Sequence, residues 1–310
     1  MTTYVLRRLG ALAALLVALS GLLFVLRRSS SGDPVRALVG ANASQEAIAR
    51  ARADLGLDQP LTVQYGHYLA GLVRGDLGTS YRTRRPVGED IAAFGPPTLE
   101  LVAAAFVVAL VLALLFAVSS ILRWPGAVVF RAVLQVGAAA PTFLLAIGGI
   151  VLFSAVLGWL PSGGRGTPGD PVDQALHLLL PALALGIAPA LALGRVLRSS
   201  LLTTLAADHV RTARAKGLGE AATLRRHVLR NSAGPALSMA GLQLGFMLAG
   251  VLVVENVFTW NGLGSYLASS IPVDDYPAIA GVTLVLGATY VVVNAVVDVL
   301  QALADPRTSA

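Results

Sequence analysis

Six basic side chains, Arg211, Arg214, Lys216, Arg225, Arg226 and Arg230, fall within residues 208–231, against only Asp208 and Glu220 as acids. Such a cluster is suited to binding acidic groups, on a protein or on nucleic acid. It is not suited to phosphoryl transfer. No G-x-x-x-x-G-K-[ST] phosphate loop occurs, and Lys216 is the sole lysine. His67, His177, His209 and His227 lack metal-ligand spacing, so no metal site is expected. There is no nucleophile elbow and no carboxylate pair at a useful spacing. A membrane-embedded enzyme, which would need a clustered acid, base or metal, is therefore a remote alternative. Cysteine is absent, so disulfide and thiol chemistry are excluded and the redox compartment is left open.

The remaining polar candidates are Gln135, Gln243, Asn294 and Asp298, which lie inside apolar runs where polarity is costly. Asn294 and Asp298 are spaced i, i+4 and share a helix face. They are either a bundle-facing functional pair or, as membrane helices commonly have, an interhelical hydrogen bond.

The elements that must position these residues are membrane spans. The 310 residues are 55% hydrophobic and 13% charged, whereas soluble domains carry about 25% charge. A bilayer core takes roughly 20 helical residues, and six stretches qualify: 9–26, 98–122, 132–157, 176–197, 235–254 and 278–300. The first is longer than a typical signal-peptide core and lacks a small-x-small cleavage site after it, so it reads as an uncleaved anchor. Pro141, Pro181 and Pro189 lie in or near spans, which neighbouring helices tolerate.

Arginine distribution orients the chain. With the amino terminus inside, short inside segments hold Arg7, Arg8, Arg123, Arg131, eight Lys/Arg from Arg195 to Arg230, and Arg307. On the opposite side, the loop after the third span holds Arg165 and residues 255–277 hold none. Both termini are thus expected in the cytoplasm. Residues 27–97 carry nine arginines, but a segment this long is poorly governed by the rule. It reads as an extracytoplasmic elaboration without its own core, with one short helix over 42–55 capped by Ser44. The expected division is 1–97, the first span plus this segment, and 98–310, a five-helix core with a cytoplasmic loop at 200–231.

Within that loop, 206–216 are good helix formers and Gly217 falls where a left-handed residue ends a helix. A second helical stretch opens at Gly219–Glu220, with Ala221, Leu224 and Val228 in register. Charge alone fits a plain positive-inside anchor. A helix-turn-helix DNA reader needs a free helix face, and this segment is pinned between spans, so nucleic acid is not an expected partner.

The order of residues goes further. "HVRTARAKGLGEAATLRRHVLRN" closely resembles the cytoplasmic loop of ABC-importer permeases of the dipeptide, oligopeptide and nickel group. The superfamily pattern is Glu-Ala-Ala, three residues, Gly, nine residues, Ile-x-Leu-Pro. Here Ala213, Gly217 and Leu229 match it, while Arg211, Thr212, His227 and Arg230 depart from it. Arg211 to Gly217 reproduces the Arg-Thr-Ala-Arg-Ala-Lys-Gly of the peptide-type branch in full. "SGDPVRAL" (with Ser31 for a usual proline), "LGLDQPLTVQY", "GDLGTSYRTRRPV", "PPTLEL", "LGWLPSGG", "VENVFTWNGLGSYL", "DYPAI" and "VDVLQALADPR" follow in the branch's order.

The resemblance implies an all-α, six-span, type I ABC importer-like permease in a bacterial plasma membrane. It implies transport of di- or oligopeptides, with nickel or another metal chelate as the alternative. This chain would bind no cofactor. ATP and Mg would belong to two partner ATPases, beside a second permease subunit and an extracytoplasmic binding protein. The implied ATPase-coupling residues are Arg211, Thr212, Ala213, Arg214, Ala215, Lys216, Gly217, Leu218 and Leu229. Arg211, Arg214 and Lys216 would meet acidic groups, and Ala213 and Gly217 would permit close backbone approach. Glu255, Gly262 and Gly264 are candidate contacts for the binding protein, with 261–271 either a re-entrant or surface helix or a plain loop.

Overall fold

The computed structural model describes residues 2–29, 44–54, 56, 58–121, 124–223, 228 and 230–304. Among them the chain is helical, with one isolated bridge, Thr79 to Pro86. The helices are α1 (Thr2–Ser29), α2 (Gln45–Asp54), α3 (Leu61–Val73), α4 (Val87–Ser119), α5 (Ala127–Ala139) and α6 (Thr142–Gly149). The last of these runs on as a π-helical stretch, Ile150–Val156. Then follow α7 (Pro171–Leu205), α8 (Asp208–Ala215), α9 (Glu220–Thr223), α10 (Arg230–Val257), α11 (Leu263–Ser270) and α12 (Tyr276–Ala304). Two compact units divide the chain: Met1–Pro96 with Gly262–Thr289, and Pro97–Asn261 with Tyr290–Ala310.

Among the described residues, four helices are long and apolar enough to cross a membrane: Val87–Ser119, Pro171–Leu205, Gly234–Val257 and Tyr276–Val297. Leu12–Leu26 of α1 is a shorter apolar segment. The expected continuous third span is corrected. It is two helices, Ala127–Ala139 and Thr142–Val156, bent by 118°. Proline disfavours helical backbone at the residue before it, and Ala140 is extended (φ −80, ψ 142) ahead of Pro141. In α7, by contrast, Pro181 and Pro189 are buried and the helix runs through both.

The second span starts earlier than expected, at Val87, where Glu89 and Asp90 in the first turn favour the helix dipole. Asp170 caps α7 by accepting from the N–H groups of Val172 and Asp173, with Pro171 in the first turn. The Ser44 cap is present: the Ala47 N–H donates to its Oγ at 3.2 Å, ahead of α2.

In the second unit, small residues set the helix crossings. Ala105, Ala109, Ala113 and Ala117 recur every four residues along α4 and are buried. Facing them on α7, a Cβ on Gly186 would lie 2.8 Å from the Ala105 carbonyl oxygen, and one on Gly194 3.0 Å from the Phe116 ring. Gly241 and Gly245 repeat the device on α10, where added carbons would run into Val297 and the Tyr290 ring of α12. Close backbone approach is what substitutes for the hydrophobic effect between helices in lipid.

In the first unit, α3 is an element that periodicity did not reveal. It packs on α1: the Tyr65 hydroxyl donates to the Val17 carbonyl at 3.0 Å, and Ser20 Oγ lies 3.0 Å from it. Leu263, Tyr266, Ala278 and Val282 form this unit's buried cluster, with Ile91 and Phe94 against it.

Candidate functional site

The basic loop folds as α8, a glycine turn and α9. Val210 is fully buried in a cluster with Ala117 of α4, Leu201 of α7 and Val228. Ala213, one turn later, is buried too, while Arg211, Thr212, Arg214, Ala215 and Lys216 are exposed. The helix therefore has an anchored apolar side and an exposed basic side. Arg211 lies 3.5 Å from Asp208, but both are largely exposed, so this pair holds little.

The end of α8 is a paired-bond cap. The Gly217 N–H donates to the Arg214 carbonyl at 2.9 Å and the Leu218 N–H to that of Ala213 at 3.2 Å. Gly217 sits at φ +81, where an L side chain is strained, yet an added Cβ would meet nothing within 4 Å. Within this chain its glycine answers to backbone conformation, not to close approach. At the base of the loop, Ser232 Oγ donates to Thr204 Oγ1 at 3.0 Å, tying the start of α10 to the end of α7. Leu229 lies outside the described residues.

At the far end of α10 the candidate Glu255 is fully buried. It accepts from Thr98 Oγ1 at 2.6 Å. Next to it the Trp260 indole N–H donates to the Pro97 carbonyl at 2.8 Å. Arg165 lies over the Trp260 ring at 5.5 Å and pairs with Glu100 at 2.6 Å. Gly163 is required by contact, since its Cβ would stand 2.6 Å from the Phe258 carbonyl oxygen. "PPTLEL", "LPSGGRG" and "VENVFTW" thus converge on one cluster. Within this chain the Glu255 side chain is engaged by that internal bond.

In the first unit, Gly262 and Gly264 are buried at the start of α11, where the Gly262 carbonyl accepts from Tyr266 N–H and Ser265 Oγ. The segment after "WNG" is a helix, not a plain loop. Sequence reasoning missed Asp275 and Asp90. Asp275 is fully buried and accepts from Ser80 Oγ, and from the N–H groups of Tyr81 at 2.9 Å and Arg82 at 3.2 Å. Asp90 accepts from Thr83 Oγ1 and, at 2.9 Å, from the Tyr266 hydroxyl. Arg82 lies over the Tyr266 ring at 5.2 Å. Burial above all, then the neighbouring Asp90, pushes the Tyr266 phenol up to about 12. The only sequence signal was that "GDLGTSYRTRRPV" and "DYPAI" each matched a family stretch.

Asn294 Nδ2 donates to the Tyr290 carbonyl at 2.8 Å, within its own helix. The Asp298 side chain lies outside those described. No group of three or more His, Cys, Asp or Glu suited to a metal occurs among the described residues.

Known proteins place this chain in a family. The profile of the "binding-protein-dependent transport system inner membrane component" matches residues 105–310. That of the "binding-prot-dependent transport system membrane comp, N-term" matches residues 1–102. Over 309 residues, 99% of this chain and 98% of the relative, the chain is 40% identical to the glutathione transport system permease protein GsiC of Salmonella choleraesuis (strain SC-B67). Identity to the same-named proteins of Escherichia coli (strain K12) and Shigella flexneri serotype 5b is 39% at the same coverage. The chain belongs to the family of binding-protein-dependent transport system inner membrane components, and it is an ABC importer permease subunit, not an enzyme.

Proposed function

We propose that this permease subunit carries small peptides or peptide-like solutes across the inner membrane, with α8 as the handle through which partner ATPases work it. The observation that carries the reading is the two-sided helix. Val210 ties it to α4 and α7, which are membrane helices, while Arg211, Arg214 and Lys216 face away as a docking surface. A rigid element so seated can bias which side of a bistable bundle is open. Six spans with both termini cytoplasmic complete the picture, α1 and the bent α5–α6 pair each counting as one.

The assembly has a second permease subunit, two ATPases that hold ATP and Mg, and an extracytoplasmic binding protein. Kinship to glutathione permeases supports a peptide-like solute, and glutathione is the first to test. Cells lacking this gene should lose uptake of labelled glutathione or dipeptide and regain it with the wild-type chain. Uptake of nickel chelate alone, with both peptides ignored, would overturn the solute assignment. Normal uptake by Ala213→Glu, in protein shown to be assembled, would overturn the handle.

A further inference from the structure

A cavity of about 530 Å3 lies in the first unit, between the end of α1, α3 and the start of α12. Leu23 and Phe24 form one wall, Ile279 and Ala280 another. Beside the phenols of Tyr68 and Tyr276 it is lined by His67 and Asp76, which are both exposed and so mark a polar rim. We propose that it holds one acyl chain of a bilayer phospholipid whose amine-bearing head is met by Asp76.

Four observations converge. The volume is of ligand size, since such sites run roughly 300–1,000 Å3. The wall is continuous with an apolar membrane segment: Leu15, Val17, Leu22, Val25 and Leu26 of α1 are all exposed, so lipid tails reach the cavity without crossing water. Phe24, Tyr65 and Tyr68 gather at the same place, with ring centroids 5.3 to 6.5 Å apart. Amphipathic rings of this kind settle at headgroup depth. Finally, a peptide solute would leave its amides unsatisfied against these walls, a cost that an acyl chain does not incur.

Moving a tail from bilayer to cavity gains little, because lipid is as apolar as the wall. Preference among lipids must therefore come from the head. Asp76 Oδ1 accepts from the Gly78 N–H at 2.8 Å, which fixes the carboxylate at the rim. A fixed carboxylate attracts an ammonium and repels an anionic head.

The test uses the assembled transporter in vesicles of equal phosphatidylethanolamine and phosphatidylglycerol, doped with either lipid bearing a photoactivatable acyl chain. Label from the ethanolamine lipid should concentrate on peptides holding residues 23–26 and 276–280. Ala280→Phe, which fills the space, should cut that label to the level found along the rest of α1, because the tail is then excluded from the cavity. Asp76→Asn keeps the oxygen at Gly78 and should level the two lipids, erasing a preference of about fivefold. Label spread evenly along α1, undiminished label in Ala280→Phe, or equal labelling by both heads in the wild type would overturn the proposal. So would displacement by glutathione. If Ala280→Phe does not assemble, Gly71→Leu is the second filling variant, and the wild-type pattern decides by itself.

Discussion

At the scale of single residues, two positions carry more than their composition announces. Gly217 is held at φ +81, and a left-handed conformation costs other L-residues about 1–2 kcal/mol, less for asparagine. Gly217→Val should therefore loosen the end of α8 and lower uptake, while Gly217→Asn retains most of it, although neither fills a contact. Equal loss in both would point to a partner touching this residue. Asp275 serves three donors from Ser80, Tyr81 and Arg82. Asp275→Ala strands them in a buried site at about 3 kcal/mol or more, and Asp275→Asn less, since one acceptor oxygen remains. The apparent melting temperature of the purified complex ranks the two. Tyr266 adds a pH signature. Its phenol is pushed up to about 12, so the stability it contributes is whole below the ordinary tyrosine value of about 10. That stability is lost as pH rises from there through the folded value. Melting temperature should fall across that alkaline window, and Tyr266→Phe should flatten this part of the fall.

Helices and their ends were partly legible, and the illegible part has physical reasons. Ser44 as a cap and Gly217 as a stop are local chemistry, which sequence records directly. The fate of prolines is not local. Pro181 and Pro189 stay inside α7 and are buried, Pro235 stays inside α10 although exposed, and Pro141 breaks the chain between α5 and α6. Nothing in the residues around each proline distinguishes these cases. The bond from Ser80 to Asp275 spans 195 positions, beyond the reach of periodicity. Because cysteine is absent, spin labels at Val129→Cys and Val156→Cys can measure the bend. A straight helix would separate these positions by about 40 Å. The wild type, bent by 118°, should be clearly shorter, and Pro141→Ala should shift weight toward the long distance. An unchanged distribution would mean that packing, not the proline, sets the break.

For the whole molecule, coupling to the ATPases requires one helix to have two sides with separable jobs. If α8 transmits force, damage to its inner seat and damage to its outer face must fail differently. Val210→Ala removes contact with Ala117, Leu201 and Val228 at about 2 kcal/mol. The basic face is left in place, so the ATPases should still copurify and still hydrolyse ATP while uptake falls several-fold. Arg211→Glu with Arg214→Glu reverses charge on exposed positions and leaves the seat intact. Copurification of the ATPases should then drop about tenfold at low salt, and the gap to the wild type should narrow as salt is added, because salt screens the exposed charges on both sides. Membrane insertion should be unaffected in both. A loop that served only to orient the spans would show neither pattern: the arginine reversal would disturb insertion, and Val210→Ala would leave hydrolysis and uptake in step. Measuring copurified ATPase, hydrolysis and uptake on the same preparations separates a lever from an anchor.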